Sequence, residues 1–285
     1  MDPDIFATWM NIIKQVKNSI LWLLRFPPAG EMNLKRKAIE LVGEEVASRL
    51  VFTDVAPKHL HIHRGRVADF FLDTPECNAH TTAADILWSG TPIITFPKYD
   101  FKMCSRVAGS VSYATGTWGS WSVPSDMPNS FSKHLGAKRL QDPSLLGHLM
   151  VVDSYTQYES RAVELANSLS WTWKPLRHDA QPIGASTIHS TNFPFYPDAQ
   201  TPSHILVPVG LGARLKQRLF LTRDSMPLFD TQRWVSNIEK GYEIAYQRWE
   251  RGMDRIQTRN QNELIARKCP RTIATSRCIW ISEET

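Results

Sequence analysis

Apolar residues recur at helical spacing from the very start of the chain. Asp2-Pro3 reads as an N-cap followed by proline at the first helical position, and Phe6, Trp9, Ile13 and Val16 then fall on one face. Asn18 closes that helix. The apolar run from Ser19 to Phe26 predicts a buried strand, with Pro27-Pro28 and Gly30 in the loop after it. Leu34 to Val42 predicts a basic amphipathic helix, and Leu50-Val51-Phe52 a short buried strand. A helical turn from Pro57 to Arg64 leads to a strand over Val67 to Leu72. A helix over His80 to Trp88, ended by Gly90, then leads to a strand over Thr91 to Phe96. Strands separated by short helices build parallel pairs, so the pattern predicts an α/β, Rossmann-like layer.

The second half is less regular. Neither period fits Ser110 to Asp126. Tyr155 to Leu169 returns to a helix, with Tyr158, Ala162, Leu165 and Leu169 on one face. Trp171 to Pro208 is rich in Pro, His, Ser and Thr without convincing periodicity, so residues 171–210 are expected to form an irregular surface insertion. Leu211 to Leu221 and Thr231 to Arg251 are helical, the latter capped by Asp230 and striped by Trp234, Ile238, Tyr242, Ala245 and Trp249. One lobe over residues 1–252 is expected, followed by a charged, poorly ordered tail over residues 253–285.

Composition narrows the classes. The chain has 285 residues, of which 42% are hydrophobic and 21% charged, which fits a globular domain with one good core. Ile20 to Leu24 is far too short to span a bilayer, and Asp2 and Asp4 stand where a signal peptide carries positive charge. The net charge of +5 is mild, and basic residues do not interleave with aromatics as a base-stacking surface requires. Membrane and nucleic-acid partners are therefore not expected. Cys77, Cys104, Cys269 and Cys278 form no C-x-x-C pair, against structural zinc or a disulfide framework and in keeping with a reducing compartment.

Three stretches place polar groups where ligands bind a parallel sheet, at strand-to-helix turns. In Ala56-Pro57-Lys58-His59-Leu60-His61-Ile62-His63-Arg64, helical spacing puts Lys58, His61 and Arg64 on neighbouring turns of one face. An imidazole stacks on a flat base and the cations donate to oxygens, although a solvated basic helix start is the plainer reading of this stretch alone. In the stretch from Asp73 to Asp85, His80-Thr81-Thr82 opens a helix whose free amides and dipole attract an anion. Asp85 lies one turn on, where ribose hydroxyls can donate to it. A simple N-cap needs one such residue rather than four, so the cluster favours a ligand. Cys77 by itself reads as a buried small hydrophobe. Gly90-Thr91-Pro92 reads as structural.

These residues carry a resemblance. The ordered series Asn18-Ser19-Ile20-Leu21-Trp22-Leu23-Leu24-Arg25-Phe26-Pro27, Val55-Ala56-Pro57-Lys58, Leu72-Asp73-Thr74-Pro75, Cys77-Asn78, His80-Thr81-Thr82 and Leu87-Trp88-Ser89-Gly90-Thr91-Pro92 resembles the C-terminal catalytic lobe of the protein O-GlcNAc transferase family. Met226-Pro227-Leu228-Phe229-Asp230-Thr231 resembles the family's closing segment. The resemblance is dense over residues 1–97 and thinner over 149–170 and 211–252.

The resemblance implies one lobe of a GT-B glycosyltransferase that moves N-acetylglucosamine from UDP-GlcNAc to Ser or Thr of nuclear and cytoplasmic proteins, without a metal or other cofactor. It implies that Ala56, Pro57 and Lys58 contact the nucleoside, that His61 stacks on the base and that Arg64 bonds to it. His80, Thr81 and Thr82 would hold the diphosphate, Asp85 the ribose, and Cys77 would lie near the sugar. His63 replaces a basic residue usual in the family. The family's Gln-x-x-Lys pair, its proposed base, its N-terminal lobe and its tetratricopeptide array are expected to lie outside this chain, which leaves no catalytic residue within it and weak or no catalysis by the chain alone. Two other readings of the pocket stay open: a non-catalytic nucleotide-sugar-binding or regulatory module, and a lobe of a protein O-fucosyltransferase, whose Thr-rich run lacks the histidine.

Overall fold

The computed structural model describes residues 2–116, 145–175 and 204–251. Helix α1, Pro3–Gln15, begins where Asp2 accepts from the amide of Asp4, and it buries Ile5, Phe6, Trp9, Met10, Ile12 and Ile13. Strand β1, Leu21–Leu24, follows and pairs in parallel with β2, Leu50–Thr53, Leu21 lying opposite Leu50. Between them come α2, Gly30–Val42, and the short α3, Glu44–Ala47. Arg49 locks this unit to the first helix by donating from Nη1 to the carbonyls of Val16 and Lys17 at 2.8 and 2.9 Å.

The second unit repeats the pattern. Helix α4, Lys58–Gly65, leads to β3, Phe71–Leu72, then to α5, Thr81–Trp88, and β4, Ile93–Ile94, which pairs in parallel with β3. A parallel bridge from Thr95 to Val151 extends this pair on its far side. The α/β class with parallel strands is as expected. The strands are shorter than the apolar runs, and among the described residues they form two hydrogen-bonded pairs rather than one continuous sheet.

The predicted strand over 67–72 shrinks for a definite reason. Val67 turns back to donate to the carbonyl of Arg64, and Lys216 Nζ donates to the carbonyls of Arg66 and Ala68 at 2.8 and 2.6 Å. The buried hydroxyl of Thr91 donates to the carbonyl of Gly65 at 2.7 Å. These carbonyls are satisfied by side chains, so no strand partner is required. Thr91→Val keeps the shape and deletes that donor, leaving a buried carbonyl unpaired. The expected loss is about 1–3 kcal/mol, read as a lower urea midpoint at unchanged slope. An unmoved midpoint would mean that water reaches Gly65.

Past β4, a 3-10 turn over Met103–Ser105 leads to α6, Val107–Tyr113. That helix corrects the expectation of no regular structure from Ser110 as far as Tyr113, and residues 117–126 lie outside the described residues. Helix α7, Leu145–Met150, and α8, Tyr155–Asn167, complete the core, with Tyr158, Ala162 and Leu165 buried as the stripe predicted. The expected irregular insertion is corrected at both ends. Strand β5, Ser170–Pro175, pairs antiparallel with β6, His204–Val209. Residues 176–203 and the tail from 253 lie outside the described residues. Helices α9, Leu211–Thr222, and α10, Thr231–Glu250, follow, and Asp230 caps α10 by accepting from the amide of Arg233. The aromatic stripe of α10 faces outward rather than into the core: Trp234, Tyr242 and Trp249 are exposed, and Ile238 and Ala245 half-buried.

Candidate functional site

The turn between β3 and α5 is built on Asp73, which is 1% exposed. Its Oδ1 accepts from the amide of Ala79 at 2.8 Å and its Oδ2 from the hydroxyl of Thr95 at 2.7 Å. Its carbonyl accepts from the hydroxyl of the buried Tyr158 at 2.9 Å, and that hydroxyl in turn accepts from Trp9 Nε1 at 3.2 Å. Burial pushes the Asp73 carboxyl up to about 6, against the opposing pull of the Thr95, Ala79 and Thr74 donors. Asn78 cross-braces the turn: its side chain donates to the carbonyl of Thr74 at 2.9 Å, and its amide to that of Cys104 at 2.7 Å.

This frame delivers His80, Thr81 and Thr82 to the start of α5. His80 occupies the N-cap without a side-chain capping bond, because its ring lies at 3.3 Å from the carbonyl of Cys104 instead. Thr81 and Thr82 already belong to the helix, so neither acts as its cap. Among the described residues no oxygen of the chain accepts from the amides of Thr81 or Thr82. Thr81 is exposed and Thr82 half-buried, and Asp85 lies half-buried one turn further on. The arrangement offers unpaired amides, two hydroxyls and the positive end of a helix dipole to an anion.

The first group of predicted residues lies on a second turn of the same kind. Pro57 caps α4 in extended conformation and its carbonyl accepts from the amide of His61 at 2.9 Å. Ala56 and His61 are half-buried, while Pro57 and Lys58 are exposed. Arg64 spends one bond internally, from Nη1 to the carbonyl of Asp54 at 2.8 Å. The two helices are tied at Gly65, where a Cβ would stand 2.9 Å from Ile86 Cδ1 and 3.0 Å from Ser89 Oγ. The structure thus joins α4 to α5 without a direct hydrogen bond between the two predicted groups.

Cys77 is exposed, which corrects its reading as a buried small hydrophobe. Its thiol is pushed up by the neighbouring Cys104 thiol first and by burial second. Beside it lies a cluster absent from the sequence reading. Glu76 binds Lys98 at 2.5 Å, accepts from the Tyr99 hydroxyl at 2.9 Å and faces Lys102 at 3.6 Å. The Lys98 and Tyr99 bonds hold the Glu76 carboxyl below its ordinary range, and the Glu76 bond raises the Lys98 ammonium. Asp73 and its partners were also missed as a unit. The partners that bury its carboxylate lie far along the chain, so no local signal marks it. Among the described residues no group of three or more His, Cys, Asp or Glu is placed to hold a metal ion, and no helix is long and apolar enough to cross a membrane.

Comparison with known proteins gives these turns a context. Residues 1–125 match the family described as Glycosyl transferase family 41. The chain is 37% identical, over 85% of its own length, to a protein of Arabidopsis thaliana named as a probable UDP-N-acetylglucosamine–peptide N-acetylglucosaminyltransferase, and covers 17% of that protein. It is 47% identical over 41% of its length to a Caenorhabditis elegans protein named as a UDP-N-acetylglucosamine–peptide N-acetylglucosaminyltransferase, and covers 10% of it. The chain therefore spans less than a fifth of either curated relative. Among solved structures, a mutant O-GlcNAc transferase of Thermobaculum terrenum aligns with a TM-score of 0.50 at 18% identity, over 85% of this chain and 33% of that one. That likeness concerns the fold.

Proposed function

From the match of residues 1–125 to glycosyl transferase family 41 and the likeness to the two curated relatives, we propose that the chain belongs to that family and forms the UDP-GlcNAc-binding lobe of a protein O-GlcNAc transferase. The observation that carries this reading is the start of α5, where the amides of Thr81 and Thr82 meet no oxygen of the described chain. A pyrophosphate supplies what that turn lacks.

In this reading His80, Thr81 and Thr82 hold the diphosphate and Asp85 accepts from the ribose. Ala56, Pro57 and Lys58 border the nucleoside, His61 covers the uracil and Arg64 donates to it. Cys77 lies beside the sugar. In the reaction, a Ser or Thr oxygen of a protein acceptor attacks the anomeric carbon of N-acetylglucosamine. The bond from that carbon to the β-phosphate oxygen breaks, and UDP leaves with the electron pair. Fixed donors at the α5 terminus are strongest where that negative charge grows, so the turn stabilises departure of UDP without a divalent cation. Removal of the acceptor proton falls to a second lobe of the GT-B arrangement, and presentation of the acceptor to tetratricopeptide helices. The setting is the nucleus and cytoplasm.

Calorimetric titration with UDP and with uridine tests the assignment on the full 285-residue chain. UDP binds in the expected outcome. Thr82→Val weakens UDP about tenfold to a hundredfold, the range for a hydrogen bond to a charged group, and leaves uridine unchanged. His61→Ala weakens both. No detectable heat at millimolar UDP would remove the reading.

A further inference from the structure

We infer that Asp73 is the positioning residue of the diphosphate turn: its carboxylate clamps the amide of Ala79 and so sets where the free amides of Thr81 and Thr82 point. The inference rests on the reading of that turn given above. Asp73 touches no ligand in it.

The geometry is a clamp with two independent anchors. On one side, Oδ2 accepts from Thr95, which is itself fixed by two backbone bonds, its amide to the carbonyl of Met150 and its carbonyl from the amide of Val152, both at 3.0 Å. On the other, the Asp73 carbonyl accepts from Tyr158 on α8, which is bound in turn to Trp9 on α1. The remaining carboxylate oxygen then reaches the amide of Ala79, the residue before the N-cap His80. Asp73 therefore ties the pivot of the turn through its carboxylate to Thr95, next to β4, and through its carbonyl to α8 and α1. Burying a carboxylate at 1% exposure is unfavourable, and a merely structural tie could be made by an apolar contact. A rigid acceptor at this point gives the turn one orientation, which a site built from backbone amides needs, since such donors have no side-chain rotamers with which to adapt.

Two ligands separate this role from general support of the fold. UDP alone reads the amides that open α5, whereas uridine reads the α4 residues and Asp85. Asp73→Ala is expected to weaken UDP at least tenfold and to leave uridine within twofold. Asp73→Asn, which keeps an acceptor for Ala79, is expected to restore UDP binding to within threefold of the native chain. Thr95→Val leaves Asp73 in place but frees one carboxylate oxygen, and threefold to tenfold weaker UDP binding at unchanged uridine binding is expected. That variant decides the matter if Asp73→Ala does not fold. Equal loss of UDP and uridine, or no loss of UDP in either variant, overturns the inference. A native chain that binds no UDP overturns the reading of the site instead.

Discussion

Gly210→Ala is expected to cost on the order of 4 kcal/mol or more, enough to remove most of the stability of an ordinary domain. Gly210 joins β6 to α9 at φ 101 and ψ 177, a conformation that side-chain-bearing residues rarely adopt. A Cβ there would stand 1.7 Å from the carbonyl oxygen of Ser168 and 2.8 Å from its carbonyl carbon. The obstruction is backbone, so no rotamer change relieves it. Ser168 also receives the amide of Gly212 on its hydroxyl, and pairing of β5 with β6 begins two residues away at Ser170 and Val209. Both sides are fixed, and either the strand pair or the first turn of α9 must give way. Urea unfolding measures the effect, and Gly241→Ala serves as the control. Gly241 lies inside α10 with nothing within 4 Å of its would-be Cβ, so that change should stabilise by about 0.5–1 kcal/mol. A Gly210→Ala loss below about 1 kcal/mol would mean that the hairpin moves freely on the body.

The second large effect depends on pH. Asp73 titrates at about 6 in the folded chain against an ordinary 3.8, chiefly because it is buried. Between these values the folded chain holds a proton that the unfolded chain has released, so the contribution of Asp73 to stability falls as pH rises through the window. Above about 6 the whole penalty is present. Asp73→Asn carries no charge at any pH and keeps the acceptor for Ala79, while the Thr95 hydroxyl can turn to accept from the new amide. The stability of this variant minus that of the native chain should therefore be near zero at pH 4. It should grow to on the order of 3 kcal/mol by pH 8, the free-energy equivalent of the gap between the two titration points. The other titratable groups near Asp73 are His80, Cys77 and Tyr158. They are common to both chains, as are the carboxylates Glu31, Glu40 and Glu76, whose lowered values shape the acid limb. Urea midpoints at pH 4, 6 and 8 give the comparison. A difference independent of pH would show that Asp73 is solvated.

What the sequence discloses is what neighbours in sequence decide. Helix α1 was legible because its cap, its proline and its apolar stripe all lie within a few turns. The same holds for the Thr81 turn, where four polar residues crowd one helix start. Helix α6 was not legible, since its packing relies on small residues with no apolar period. A Cβ on Gly109 would meet Pro97 Cγ at 2.6 Å, and one on Gly147 of α7 would meet the Cα of Tyr113 at 2.5 Å. Such a fit is steric and appears only once both surfaces are in place. Strand lengths failed for the same reason, because partners and competing acceptors such as Lys216 for Ala68 come from far along the chain. Asp73 is the clearest case. Thr95 lies 22 residues away from it and Tyr158 85, so nothing local distinguishes it from a solvated turn aspartate. The stripe of α10 misled in the opposite sense: its period was read correctly, but period alone does not say that a face is covered.

The antiparallel pair β5–β6 has a consequence for how this protein can change. Six rungs, from Ser170 opposite Val209 to Pro175 opposite His204, hold the two ends of the intervening segment side by side. A clasp of this kind insulates the lobe from the length of whatever it encloses. For a flexible insert held in such a clasp, each doubling of its length adds only about 0.6 kcal/mol of closure cost. A flexible foreign insert placed between Pro175 and His204 should therefore have little effect on the parallel strands or the Thr81 turn, which makes this clasp the natural point at which to graft a handle or a label.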